Sequence, residues 1–577
     1  MNLIFQKRVP WDQLHLDQRY LLLLFLCRSC KMAANEVLSL QEQKTQNFIK
    51  GAAILAATSI FVKILGAVYK IPLFNILGDV GKGSFQVTYS VYTLILNIAT
   101  AGIPVALSRM VSSAAATGKT NLVKRYFKVA MPAFILIGVA AMSLMLLFAN
   151  QLAGAMNNSL AAPGIMVLAP AVFFVCVISV YRGYAQGFEN MIPTAASQAL
   201  EVVCKAAFGI AITLFMSRAG YAVAHVSAGG ILGVTIGLGL CIPLLARYKK
   251  KIDRGIVPDS DLTGLPGRMR VFGQLMKVSI PVTIGASFMS IITVIDNSVV
   301  LGRLQNGLGL SELDASAQFG IFAEGLTLYN LPSALIVPVA VSLVPGIAAA
   351  LAIGRGSEAK SIMQSSVKLV NLFAMPASAG LMVLATPIMI TLFEDSRRVA
   401  ANVLIYLGAA AFFVCLQLVT TAILQANGNE RLPLLTIPIG GVVKIAIGYF
   451  LVGNPKFGIV GSSIGSLACF IVICALNIIL IKVKVKEQPK FGSVFIKPLL
   501  CTVVMAVAAF FVYELIYRVC AGSVGTGRIA IAAYLAVAIV IAVAVYGILI
   551  ILSRTVTMDD MMLVPKGEKL AKILRIR

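Results

Sequence analysis

Charge is scarce in these 577 residues, and acid is scarcer than base: 12% of the chain is charged, with 23 Asp and Glu against 48 Lys and Arg. A soluble domain carries about 25% charge, so a water-facing globule is excluded. Histidine occurs twice, too rarely to build a metal cluster, and the only Cys-x-x-Cys, Cys27 with Cys30, lacks the second pair that a structural metal site needs. Most other cysteines sit singly in apolar runs (Cys176, Cys204, Cys241, Cys415, Cys469, Cys474). Neither a bound metal nor a disulfide framework is expected. Strict two-residue alternation is also missing, which removes a transmembrane barrel.

What is there is apolar: 59% of the residues are hydrophobic and the mean hydropathy is +0.92. Runs of about 20 such residues recur from 51 to 553, each long enough to cross a hydrocarbon core of about 30 Å. Backbone groups in lipid must pair within their own segment, so the expected fold is an all-α polytopic membrane protein. Fourteen spans are read near 51–74, 85–107, 128–149, 163–185, 192–217, 221–246, 274–301, 319–350, 363–393, 400–425, 434–453, 458–482, 494–518 and 528–553. The net charge of +25 resides mostly in short loops with few aromatics interleaved, which argues for charge asymmetry across a membrane and against nucleic acid. The basic loops (Arg109 to Lys128, Arg247 to Lys277, Arg355 to Lys368, Lys482 to Lys497) follow even-numbered spans, which predicts that both termini are cytoplasmic.

The expected organisation is an N-terminal tail (1–50), a first lobe (51–250), a cytoplasmic basic linker (251–273), a second lobe (274–482), two further spans (483–553) and a basic tail (554–577). LLLLFLCRSC in the first tail is too short to span and lacks a signal-peptide cleavage site; it reads as disordered chain or a start upstream of Met32, with an interfacial anchor as the alternative. The two lobes are read from an internal repeat. IPVALS (103–108) recurs as VPVAVS (337–342), KVAMPA (128–133) more loosely as NLFAMPA (371–377), and AQGFENMIP before Lys205 echoes LQANGNERLP before Lys444. Six spans per unit make the copies parallel, related by a pseudo-twofold axis along the membrane normal. The shift lays Lys63 over Asp296 and Lys70 over Arg303, so the first and seventh spans are expected to face each other across a cleft.

Charges inside spans are the candidate functional groups, because each costs at least about 2.5–3.5 kcal/mol at mid-bilayer. Lys63 lies about 18 Å along its helix and Lys70 about 10 Å further on the same face. These cations either neutralise a carboxylate, Glu201 or Asp296, or attract an anion such as a lipid diphosphate. Arg109 and Arg182 are headgroup-capture or interfacial-anchor candidates, since a guanidinium matches phosphate. Glu201 and Lys205, four apart, are expected to pair. Asp296 with Lys444 forms either a salt bridge or a cation site coupled to transport. Glu324, Asn330 and Asn371 add polarity to the second lobe, His225 reads as a packed helix residue, and Pro72, Pro104, Pro281, Pro332, Pro338 and Pro345 are candidate hinges.

FVKILGAVYKIPLFNILG, QVTYSVYTLILNIATAGIPVALSRMVS and SVYRGYAQGFENMIPTAASQ, in that order, resemble the stage V sporulation protein B branch of the polysaccharide exporter family. Bacterial lipid II flippases are close relatives, and all belong to the multidrug/oligosaccharidyl-lipid/polysaccharide exporter superfamily. The resemblance covers about residues 50 to 553 and implies a fourteen-helix flippase in the bacterial cytoplasmic membrane. Its cargo would be an undecaprenyl-diphosphate-linked cell wall precursor or polysaccharide unit, moved without covalent chemistry. Lys63 before Ile64, Leu65 and Gly66 resembles a first-helix arginine of the lipid II flippases; a second such arginine is Tyr69 here, with Lys70 beside it, and a second-helix arginine is Asn97. Asp296 resembles the sodium ligand of some relatives. No cofactor is expected; a Na+ gradient, an H+ gradient and the membrane potential are the candidate driving forces. Expected partners are the lipid-linked oligosaccharide, membrane lipids and cell wall synthesis proteins. Rival readings are a cation-coupled multidrug or metabolite antiporter and a non-transporting scaffold for envelope assembly; a membrane-embedded transferase lacks the clustered loop acids and histidines it would need.

Overall fold

The computed structural model describes residues 54–55, 57–100, 102–255, 265–489, 491–523, 525–553 and 555. The expected tail at 1–50 with its Cys27 and Cys30, residues 256–264 of the basic linker, and the basic tail apart from Thr555 lie outside the described residues.

Thirteen helices among the described residues are long and apolar enough to cross a membrane. The first, Ala57–Ala116, has 60 residues, about 90 Å of helix and far more than one crossing takes. Its backbone breaks at Gly78 (φ 66, ψ 173), a left-handed φ that favours glycine. The described residues therefore hold fourteen segments of crossing length. Where the sequence suggested a loop at 75–84, one residue makes the turn and helix resumes at Asp79.

In chain order the helices are α1 (Lys70–Thr100), α2 (Ile103–Ala116), α3 (Thr120–Leu147), α4 (Ala149–Ala155), α5 (Ala162–Gly187), α6 (Ile192–Arg218), α7 (Val223–Arg254), α8 (Arg268–Leu308), α9 (Glu312–Ala352), α10 (Gly356–Val383), α11 (Ala385–Phe393), α12 (Arg398–Ala426), α13 (Pro433–Val452), α14 (Val460–Lys484), α15 (Phe491–Cys520) and α16 (Arg528–Leu552). Local chemistry sets several ends. Gly309 (φ 71) terminates α8; Ser311 then caps α9, its hydroxyl accepting from the Asp314 N–H, and Glu312 and Asp314 put negative charge on that helix's first turn.

Two lobes emerge from repeated packing. In the first, α3 lies on α5, α5 on α7 and α6 on α7; in the second, α10 lies on α12, α12 on α14 and α13 on α14. These are the same pairings shifted by six crossings, as the repeat of IPVALS and VPVAVS requires. The last two spans, α15 and α16, pack on each other, and α15 packs on α10.

The lobes meet where α1 crosses α8 and α9. Backbones nearly touch there: a Cβ on Gly83 would sit 2.0 Å from the Ser316 carbonyl oxygen, and one on Gly320 would sit 2.2 Å from that of Asp79. Gly83→Ala should therefore cost about 1–3 kcal/mol as an overpacked contact, read as a lowered thermal midpoint of the detergent-solubilised protein. An unchanged midpoint would contradict this approach of the lobes.

Candidate functional site

A cavity of about 520 Å³ opens between the lobes. Lys63, Lys70 and their neighbours on the first crossing form one wall, with Tyr89 of α1, Arg182 of α5, and Gln198, Glu201 and Lys205 of α6. The opposite wall comes from α9, through Thr327, Asn330 and Ser333. The expected pairing of the first with the seventh crossing is thus corrected: the eighth faces Lys63 and Lys70, because α1 packs along α9 and brings that helix opposite the lysines.

Among the described residues, four cations and one carboxylate face this space. Among the described residues, neither Lys63 nor Lys70 has a carboxylate within ion-pair distance. Lys70 instead lies among aromatic faces, its Nζ 5.8 Å from the Phe74 ring centre, 5.9 Å from Phe85 and 5.4 Å from Tyr89. Lys205 does not pair with Glu201. Its Nζ sits 4.9 Å from the Tyr69 ring centre and 4.8 Å from Tyr89, and donates to the Tyr89 hydroxyl at 3.4 Å. Two ammonium groups therefore share the ring of Tyr89, whose electron-rich face attracts both. Glu201 pairs with Arg182 at 3.3 Å, and Ser197 accepts from Arg182 Nε at 2.9 Å. A helical spacing of four permitted a Glu201–Lys205 pair; the arginine arriving from α5 displaced it.

Several expected site residues lie elsewhere. Arg109 is exposed on α2 and does not line the cavity. Asn97 donates to Ser290 Oγ at 2.6 Å, joining α1 to α8. Arg303 stacks on Tyr449 at 4.4 Å and donates to its carbonyl at 3.0 Å, so it closes the end of α13. Asp296 meets Lys444 at 2.9 Å through Oδ2, with side-chain exposures of 1% and 16%. The approach lies outside hydrogen-bond geometry and leaves Oδ1 without a donor. Of the two arrangements open from the sequence, the salt bridge is the one formed. Asn371 donates to the Val494 carbonyl at 3.0 Å and ties α10 to α15.

A second charged cluster, which the sequence reading missed, seals the end of the bundle at the Gly78 turn. Lys82 contacts Asp79 at 2.9 Å and the fully buried Glu324 at 2.5 Å. Asp79 continues to Arg397 at 2.8 Å, and Arg397 to Asp395 at 2.6 Å. Hydrogen bonds to Asp395, and then to Asp79, hold the Arg397 guanidinium above its ordinary range. Beside this chain of charges, Asn157 donates to the Ser298 carbonyl, Asn158 to Ser316 Oγ and Gln305 to the Asn157 carbonyl. Ser159 donates to Glu312, and Arg528 pairs with Glu394. These contacts gather connections that follow the first, third, seventh, ninth and thirteenth crossings at one end, as a parallel repeat demands. The signals were present: a lysine inside GDVGKGS, and NN at 157–158, where Asn157 adopts φ 51.

A family profile described as "Polysaccharide biosynthesis protein" matches residues 48–351. Three proteins of Bacillus subtilis (strain 168) are similar. "Uncharacterized membrane protein YabM" is 27% identical over 92% of this chain and 97% of its own. "Stage V sporulation protein B" is 26% identical over 77% and 86%, and "Lipid II flippase MurJ" 24% over 70% and 77%. Among solved structures, an inward-closed lipid II flippase MurJ aligns with a TM-score of 0.57 at 16% identity, over 87% of this chain and 97% of that one. An inward-facing multidrug resistance transporter of the MATE family and MOP superfamily aligns at 0.57 and 17% identity, over 74% and 98%. The fold is that of these polytopic transporters.

Proposed function

Because the chain belongs to the polysaccharide biosynthesis protein family of multi-pass membrane proteins, we propose that it is a flippase. It moves a prenyl-diphosphate-linked glycan from the inner to the outer leaflet of the bacterial cytoplasmic membrane by alternating access. The observation that carries this reading is the pair Lys63 and Lys70, which face the cavity with no carboxylate partner among the described residues. Among the described residues, Lys205 and Arg182 join them against Glu201 alone, so basic groups outnumber acidic ones in the cavity. A diphosphate supplies the missing negative charge and the oxygens that ammonium and guanidinium groups bind.

The end with the basic loops is cytoplasmic on the positive-inside rule, so the Gly78 end faces outward. The cavity then lies on the cytoplasmic side of the charge cluster that closes the outer end, and the cargo enters from the cytoplasm. A prenyl tail remains in lipid while the headgroup crosses. No ion need accompany it: each negative charge moved outward down an inside-negative potential gains about 2.3 kcal/mol per 100 mV. An antiporter for cationic drugs would need an anionic cavity, and the one carboxylate here is already paired with Arg182.

Lys63→Ala and Arg182→Ala should each abolish complementation of a flippase-depleted strain while expressing normally. Normal growth of both would remove the diphosphate reading. Purified protein in vesicles should move labelled lipid-linked precursor faster with an inside-negative potential, and a sodium gradient alone should not replace it.

A further inference from the structure

The two walls of the cavity differ in chemistry. Facing the cations, Thr327, Asn330 and Ser333 recur every three residues along one face of α9 and carry no charge. Most of their hydrogens are already committed: the Thr327 hydroxyl donates to the Ala323 carbonyl at 3.0 Å, the Ser333 hydroxyl to the Asn330 carbonyl at 2.9 Å, and one N–H of Asn330 Nδ2 to the Leu326 carbonyl at 2.7 Å, which leaves one amide N–H. What remains for a ligand is mainly lone pairs, on two hydroxyl oxygens and on Asn330 Oδ1. Lone pairs repel an anion and accept from O–H and amide N–H groups.

We infer that this face of α9 is a sugar-reading wall: its acceptors take hydrogen bonds from hydroxyl or amide donors of an uncharged sugar adjoining the diphosphate. The inference rests on the flippase reading above and adds the class of sugar. A space of about 520 Å³ suits a ligand of drug size, which a diphosphate with its first sugar matches, while a long glycan would extend beyond it. The cationic wall holds the phosphates and is indifferent to the glycan. The α9 wall makes the distinction, because the O–H and amide N–H donors of an uncharged sugar find its lone pairs.

Binding of two probes by the full-length chain in nanodiscs tests this: undecaprenyl diphosphate without sugar, and the same lipid carrying one N-acetylglucosamine. The wild type should bind the glycosylated probe at least tenfold more tightly than the bare one. Asn330→Ala, Ser333→Ala and the isosteric Thr327→Val should each erode that preference severalfold and leave the bare lipid's affinity unchanged, which also reports that each variant is folded. Equal affinity of the wild type for both probes, or an equal loss of both in all three variants, overturns the sugar wall and spares the diphosphate site. Binding of neither probe by the wild type overturns the diphosphate reading, and the wall with it.

Discussion

Lys82→Met alone is expected to cost about 3–5 kcal/mol of stability, and Lys82→Met combined with Glu324→Leu to recover most of it. The reason is asymmetry. Glu324 is 0% exposed and Lys82 Nζ lies 2.5 Å from its Oε1, so deleting the ammonium strands a carboxylate where no water reaches it. Deleting both groups removes the desolvation penalty along with the attraction. An exposed pair would be worth about 0–1 kcal/mol and would show no such rescue. Thermal unfolding of the wild type, both single variants and the double variant measures the coupling directly. If the double variant is as unstable as Lys82→Met, the pair is not the source of the effect. Because Lys82 belongs to α1 and Glu324 to α9, the same pair also holds the Gly78 ends of the lobes together. Spin labels at Ala222 and Lys456, in connections of opposite lobes, should therefore move apart in Lys82→Met.

Lys444→Met is expected to have an effect of similar size, about 3–5 kcal/mol, relieved by Asp296→Asn in the same chain. Asp296 is 1% exposed and its Oδ1 has no donor, so the Lys444 ammonium is what makes the carboxylate tolerable. That ammonium also occupies the place a sodium ion would take against Oδ2. Exchanging sodium for potassium at constant ionic strength should leave the melting of the wild type unchanged. A sodium-dependent rise in the wild type would mean that the pair opens to admit the ion, and would return Asp296 to the role of a coupling site.

The difference between what was legible and what was not follows from the range of the interactions involved. Fourteen crossings and two parallel lobes could be read because hydrophobic length and an even number of spans per repeat act locally along the chain. Lys63 and Lys70 could be singled out because a cation deep in an apolar run is costly wherever the helix ends up. Pairing was different. Glu201 had a lysine four residues away and chose Arg182, whose sequence distance of 19 says nothing about its proximity. Lys82 looked like a loop residue because glycines surround it; only the single-residue turn at Gly78 carries it into the packed interface. The stretch NQLAGAMNNSLAAP carries no charge and lies between the spans read at 128–149 and 163–185, yet Asn157 and Asn158 in it stitch the two lobes together through side-chain amides.

By itself, then, the order of residues determined that this chain lives in a bilayer, how often it crosses and where its unaffordable charges lie, since transfer from water to lipid is a property of each segment alone. Which charges neutralise one another, and which are left facing a cavity, was decided by helices from distant parts of the chain coming together. Electrostatic energy at a few ångströms depends on that arrangement, which spacing along one helix does not specify.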